Sequence, residues 1–294
     1  MEANRWTKRK PCAGARDLRC AVAAVLVAAL AVGSLGCRGK EQRISPATPM
    51  VAPARDLDYT VSALDADARG WASLSAPCEV IIRSPQINVP ARQARLGDGR
   101  IIIEKPGKVN ITMSNRDQMV LRLVGDGERY RVEMPVFSDA YSGSYGGPAT
   151  PQPRRIHFMP EDVAAAFDPR SLLADSAQAI TQWEQYTGLY NLQFVETPRK
   201  HVRIVSSLIV DRRTNQLFSA ERYNEDGSVR VRISYSRIET LMDSAGNPVA
   251  VPTQVRLDYP AEQTAVLVGL RNIELNKKPG PEVFALRPAT PPAN

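Results

Sequence analysis

Histidine and cysteine are scarce in this chain, with two His and four Cys in 294 residues. A disulfide framework or a cysteine zinc site is excluded, because Cys12 and Cys20 lie in the N-terminal segment and leave only Cys37 and Cys78. His157 and His201 show no HExxH or other paired-ligand spacing, and each reads as a surface or strand-edge histidine. There is no Gly-x-Ser-x-Gly elbow, since Gly143-Ser144-Tyr145-Gly146-Gly147 has the wrong register. Gly125-Asp126-Gly127 is no phosphate cradle, because a strand rather than a helix follows it. Positive charge is also missing where a nucleic-acid binder would need it. The net charge is +7, but residues 1–36 hold six Lys/Arg against Glu2 and Asp17, leaving 32 Lys/Arg against 29 Asp/Glu in the rest. A phosphate-tracking surface needs clustered excess cations, so nucleic acid is excluded as a partner.

What is present begins with an export signal. Basic residues end at Arg19, and the 18 uncharged residues CAVAAVLVAALAVGSLGC run from Cys20 to Cys37. A charged start, an apolar stretch and small residues before the cut are the parts of a secretory signal. Ser34-Leu35-Gly36-Cys37 resembles a bacterial lipobox, which implies that Cys37 is acylated, palmitate included, and becomes the mature N-terminus. The alternative is an uncleaved anchor helix, since a span needs about 20 residues. In either case the remainder leaves the cytoplasm. Residues 1–36 are therefore read as signal peptide. Residues 37–54, with three prolines and no apolar period, are read as the lipidated N-terminus and a tether reaching on the order of 55 Å. A single domain is expected over 55–294.

That domain opens with an amphipathic helix. Leu57, Val61, Leu64, Ala68 and Trp71 share one face, Asp56 is placed to cap the start, and Pro77 closes the neighbourhood. The period then becomes two. Strands are predicted at 78–83, 95–104, 108–114, 119–125 and 129–134, then at 180–186, 189–196, 202–211, 216–223, 229–237, 251–259 and 264–275. Residues 138–155 are rich in Gly, Pro and Ser and read as a long loop. A short helix starts at Pro160, with Glu161 and Asp162 at its positive end. Val229, Val231, Ile233 and Tyr235 point to one face of their strand, and Arg230, Arg232, Ser234 and Ser236 to the other. The fold class is thus α+β: a strongly curled antiparallel sheet of eleven or twelve strands, a half-barrel, with one long N-terminal helix and short helices as a partial lid. Such a sheet offers an apolar face roughly 50 Å wide, whereas a helix covers only about two strands. Only 18 aromatics are available to fill volume, so an apolar cavity is expected.

Several segments also resemble a known family. The leading helix is followed by CEVIIR, by GRIIIEKPGKVNITM and by LRLVGDGERYRVEMP, and a Phe-containing tail closes the chain. Lys105-Pro106-Gly107-Lys108 and Asp126-Gly127-Glu128-Arg129-Tyr130 carry most of the likeness. Over residues 55–287 the chain resembles the lipoprotein-localisation carrier and receptor family (LolA/LolB-like), and its lipidated start resembles the membrane-anchored receptor branch. The resemblance implies a helix-closed half-barrel whose apolar cavity receives acyl chains. Its walls would be Ile101, Ile103, Val109, Ile111, Met113, Leu121, Leu123, Val231 and Ile233, which could equally form a dry core.

Three functions follow as expectations. The first is a monomeric, lipid-anchored envelope lipoprotein that shelters an acyl chain or a lipoprotein. Arg38 after the cysteine favours the outer membrane, facing the periplasm, by resemblance to the sorting rule of Gram-negative bacteria. The second is a non-catalytic structural or protein-interaction lipoprotein with the same sheet. The third, a cell-wall hydrolase, has little to stand on. Glu161 and Asp162 are explained by a helix start, Cys78 reads as a small buried hydrophobe, and no cofactor or metal is expected.

Overall fold

A computed structural model describes residues 56–87, 93–147, 156–173, 178–186, 188–197, 202–243 and 246–286. The signal segment, Cys37, the tether, residues 148–155 of the Gly/Pro stretch, His201 and the tail from 287 lie outside the described residues, as do the side chains of 178–186. Residues 51–294 form one compact unit. No helix among the described residues is long and apolar enough to cross a membrane.

The expected leading helix forms as α1, Leu57–Arg69, with the Asp56 carboxylate accepting from the Tyr59 N–H at 2.7 Å. At 13 residues α1 is of ordinary length rather than long. It stops because Gly70 caps it, not at Pro77, which lies inside the first strand. Leu64 and Ala68 are buried, Leu57 and Val61 pack half-buried on the core, and Trp71 is buried just beyond the last turn.

Fourteen strands follow among the described residues: β1 Ser73–Arg83, β2 Gln93–Glu104, β3 Lys108–Asn115, β4 Gln118–Asp126, β5 Arg129–Met134, β6 Asp139–Ser144, β7 Gln178–Tyr186, β8 Leu189–Glu196, β9 Arg203–Asp211, β10 Leu217–Tyr223, β11 Val229–Met242, β12 Pro248–Tyr259, β13 Thr264–Leu270 and β14 Glu274–Leu275. All twelve predicted strands are present. Two differences stand out. Asp139–Ser144 pairs with β5, although it was read as loop. The last predicted strand is broken near Asn272, whose φ of 48° takes it out of the ladder, so that β14 pairs instead with the start of β1.

The sheet is antiparallel throughout and runs β6-β5-β4-β3-β2-β1-β13-β12-β11-β10-β9-β8-β7. The chain starts at the centre, meanders to the β6 edge, crosses to the β7 edge and meanders back until β13 closes on β1, with Cys78 opposite Leu270 and Ile82 opposite Val266. The crossing carries α2, Pro160–Phe167, and the single turn α3, Pro169–Leu172. All eight residues of α2 are buried. The expectation of a lid therefore changes: α2 is a plug within the core, not a cover with one wet face. Its three successive alanines, Ala164 to Ala166, leave room for that close approach.

Alternation sets the core. Leu74, Ala76, Cys78, Val80 and Ile82 on β1 point inward, as do Val266 and Val268 on β13 and Val251, Val255, Leu257 and Tyr259 on β12, all in one hydrophobic cluster with α2. On the opposite face of the sheet, the one-turn 3-10 helix Pro281–Phe284 tucks back. The Asn110 amide of β3 donates to the Val283 carbonyl at 2.5 Å, and Phe284 is buried.

Candidate functional site

The nine side chains expected to wall a cavity all reach the interior. Ile101 and Ile103 of β2, Val109, Ile111 and Met113 of β3, Leu121 and Leu123 of β4, and Val231 and Ile233 of β11 are each at most 1% exposed. They belong to the same cluster as α2, and none of them lines the apolar pocket described next.

That pocket lies under α1. It is a small, half-open cavity of about 40 Å³, walled by Leu64, Ala68, Trp71, Phe167, Pro169, Leu217, Ile238, Ala250 and Pro252. Asp67, Asn215, Gln216 and Tyr235 complete it. Its walls come from four separate stretches: the last turns of α1, the junction of α2 with α3, the turn into β10, and paired residues of β11 and β12, where Ile238 stands opposite Pro252. No single segment announces such a site, and of its polar members the sequence pattern marked only Tyr235, as inward-pointing.

Lys105, in the β2–β3 turn, fixes α1 over the pocket. Its ammonium donates to the Ala68 carbonyl at 2.5 Å, lies 3.7 Å from Asp168 Oδ1, and sits 3.5 Å above the Trp71 ring. Burial lowers its pKa to about 8 against the opposing pull of Asp168. On the pocket floor two polar atoms are buried without partners, Tyr235 Oη and Asn215 Oδ1. Tyr235 is 7% exposed, and burial pushes its phenol well above the usual range. At the rim, burial raises the Asp67 carboxyl.

A second polar group sits at the start of α2. Arg230 pairs with Glu161 and lies 3.2 Å from Asp162 Oδ1, and the Arg222 guanidinium donates to the same oxygen at 2.7 Å. The Gly146 N–H, just past β6, donates to Glu161 at 2.7 Å. Arg230 was expected on the wet face with Arg232. It turns inward because it is the extra residue of a β-bulge: Arg222 faces Val231, whereas the next residue, Tyr223, faces Val229. Burial raises the Asp162 carboxyl to about 6, with Arg222 opposing. These carboxylates are thus held in ion pairs. His157 lies nearby, edge-on to Tyr259 at 4.6 Å, with Nδ1 3.6 Å from Glu262.

Cys78 is 1% exposed and burial pushes its thiol to about 12, so it is held as an unreactive thiol beside Met113. No group of three or more His, Cys, Asp or Glu among the described residues could hold a metal ion.

This chain's fold is similar to that of solved structures, including the two that follow. A LolA superfamily protein from Nitrosomonas europaea superposes over 77% of this chain and 97% of its own, with a TM-score of 0.51 at 14% identity. A domain from Vibrio parahaemolyticus, described as an outer membrane lipoprotein-sorting protein domain, does so over 77% of this chain and 94% of its own, with a TM-score of 0.51 at 11% identity. The fold is LolA-like. No protein-family model matches the sequence, and no curated protein does. At these identities the likeness is one of fold. Among the described residues of this LolA-like fold, the pocket under α1 leaves apolar wall open.

Proposed function

We propose that this chain is a lipid-anchored, extracytoplasmic binding protein that shelters an acyl chain or a lipoprotein's lipid, without catalysis. Cys37 would carry the anchor, in the outer membrane and facing the periplasm. The sheet would curl as a half-barrel about α2. Support for the curl comes from neighbouring residues: Glu161 is held from the end of β6 and Asp162 from β10, nine places apart in the strand order. Flat, those strands would stand roughly 43 Å apart at about 4.8 Å per strand.

The observation that carries the binding reading is the apolar pocket under α1, walled by Leu64, Trp71, Phe167, Leu217 and Ile238. Each buried methylene contributes ~0.8 kcal/mol, so a short length of chain suffices for binding. The nine interior residues would meet a guest only behind α2, as a floor exposed if that plug withdrew. The test is organic extraction of the protein, purified from its own membranes without detergent exchange of bound lipid, followed by mass spectrometry. A stoichiometric acyl-bearing lipid is expected. Recovery of none would defeat the proposal.

A second reading, a non-catalytic structural or protein-interaction lipoprotein, is favoured by one observation: α2 already fills the interior. It is separated from the first by crosslinking in membranes. A stoichiometric protein partner with no extractable lipid would decide for it.

A further inference from the structure

We infer that the pocket under α1 selects an amphiphile whose head group is uncharged and both donates and accepts a hydrogen bond, an alcohol or an amide. This rests on the apolar-chain reading above and adds to it the chemistry of the head.

Buried polar groups in native proteins are almost always paired, and an orphan is costly enough to need a reason. Here two orphans line one pocket with complementary roles. The Tyr235 hydroxyl is a donor in search of an acceptor, and the Asn215 carbonyl oxygen is an acceptor in search of a donor. Neither is placed by chance mobility. Tyr235 stands in the middle of β11 opposite Val255. Asn215 has a φ of 56°, and its own N–H is tied to the Asp211 carbonyl at 2.8 Å. The Asp211 carboxylate in turn accepts from the Arg213 and Thr214 N–H groups, each at 2.8 Å, so the whole turn is stapled. A carbonyl accepting from Tyr235 beside an N–H donating to Asn215 satisfies both, as does a hydroxyl doing the two in turn.

Charge argues against a free carboxylate. The lining holds no Lys or Arg, and its ionisable side chains are Tyr235 and Asp67, the latter anionic when charged. Lys105, against the end of α1, is spent on the Ala68 carbonyl, Asp168 and Trp71. A carboxylate would therefore enter without a counter-ion, past a negative rim.

The test uses the full chain in its own membranes and four twelve-carbon probes with a mid-chain diazirine, ending in an alcohol, a primary amide, a carboxylate or a plain methyl. After irradiation, labelling of peptides spanning 64–71 and 235–252 is measured relative to labelling of bulk lipid. The alcohol and amide are expected to label these peptides about ten-fold or more above the carboxylate and the hydrocarbon. Tyr235→Phe and Asn215→Gly, the latter keeping the left-handed backbone, should each bring the amide down to the hydrocarbon's level. Continued labelling by the hydrocarbon reports that the variants retain the pocket. Equal labelling by all four probes, or a head-group preference that survives both substitutions, overturns the inference while leaving the apolar-chain reading intact. No labelling of the pocket by any probe overturns both.

Discussion

Tyr235→Phe is expected to make the ligand-free protein more stable, although the change deletes a hydroxyl from the interior. The Tyr235 oxygen is buried and makes no hydrogen bond, so the folded state carries its desolvation without compensation. Such an orphan costs ~1–3 kcal/mol. Removing one oxygen leaves a small void that offsets part of the gain, and a net stabilisation of roughly 1 kcal/mol is the working figure. For a domain of this size that is about 2–4 °C in Tm. Tyr259 supplies the control, because the same deletion there should act with the opposite sign. Its hydroxyl accepts from the Met159 N–H at 3.2 Å, at the mouth of α2, so Tyr259→Phe deletes a buried hydrogen bond and should destabilise by ~1 kcal/mol. Both are buried tyrosines, and the difference between them is the partner. Thermal unfolding of the delipidated protein and the two variants in one buffer measures it. A fall in Tm for Tyr235→Phe comparable to that for Tyr259→Phe would refute the reasoning, since it would mean that the Tyr235 hydroxyl is already satisfied in the empty protein.

Arg230→Met should destabilise by roughly 3 kcal/mol in urea unfolding, because Glu161 and Asp162 lose a partner inside the core. A loss below about 1 kcal/mol would show the bulge contact to be dispensable. The pH dependence follows from Asp162. The folded protein holds that proton until about pH 6, whereas the ordinary value in an unfolded chain is 3.8. Between those values the native state binds more protons, so this group's contribution is full below pH 4 and is lost as pH rises through 6. The stability of the wild type relative to Asp162→Asn should thus fall by about 2 kcal/mol from pH 4 to pH 6.5, and a difference flat across that range would contradict it. Gly99→Ala should cost ~1–3 kcal/mol, since a Cβ there would lie 2.3 Å from the Thr112 carbonyl oxygen of the paired strand. Cys78 should resist a maleimide in the native state at pH 8 and react only on unfolding; native labelling would show that its strand opens.

What the sequence could disclose depended on how local the physics was. Twelve strands were legible because each carries its own period of two and its own turn, as with Lys105-Pro106-Gly107 between β2 and β3. β6 was hidden because Asp-Ala-Tyr-Ser-Gly-Ser offers one large apolar side chain, Tyr141, and owes its place to pairing with β5 and to hydroxyl bonds with the Phe158 backbone at 2.9 and 3.1 Å. Arg230 was assigned to the wrong face because alternation assumes an unbroken ladder, and a bulge is a property of two strands together. The pocket under α1 was illegible for a similar reason. Asn215 and Gln216 look like ordinary turn residues until they meet Leu64 and Trp71 from the far end of the domain.

The same limit applies to what covers the apolar face of the sheet. Counting helices against strands was sound as far as it went, but it assigned to α2 the one-faced cover of a surface helix. Glu161 and Asp162 at its start are groups that burial penalises unless they are paired. Their charge is met by Arg222 and Arg230, more than sixty residues along the chain on average and brought in by the return meander. With its acids neutralised from the strands, α2 is free to be apolar on every side and to sit within the sheet rather than on its rim, and the open apolar wall shrinks to the strip beneath α1. The burial of α2 therefore depends on ion pairs that secondary-structure periodicity does not encode.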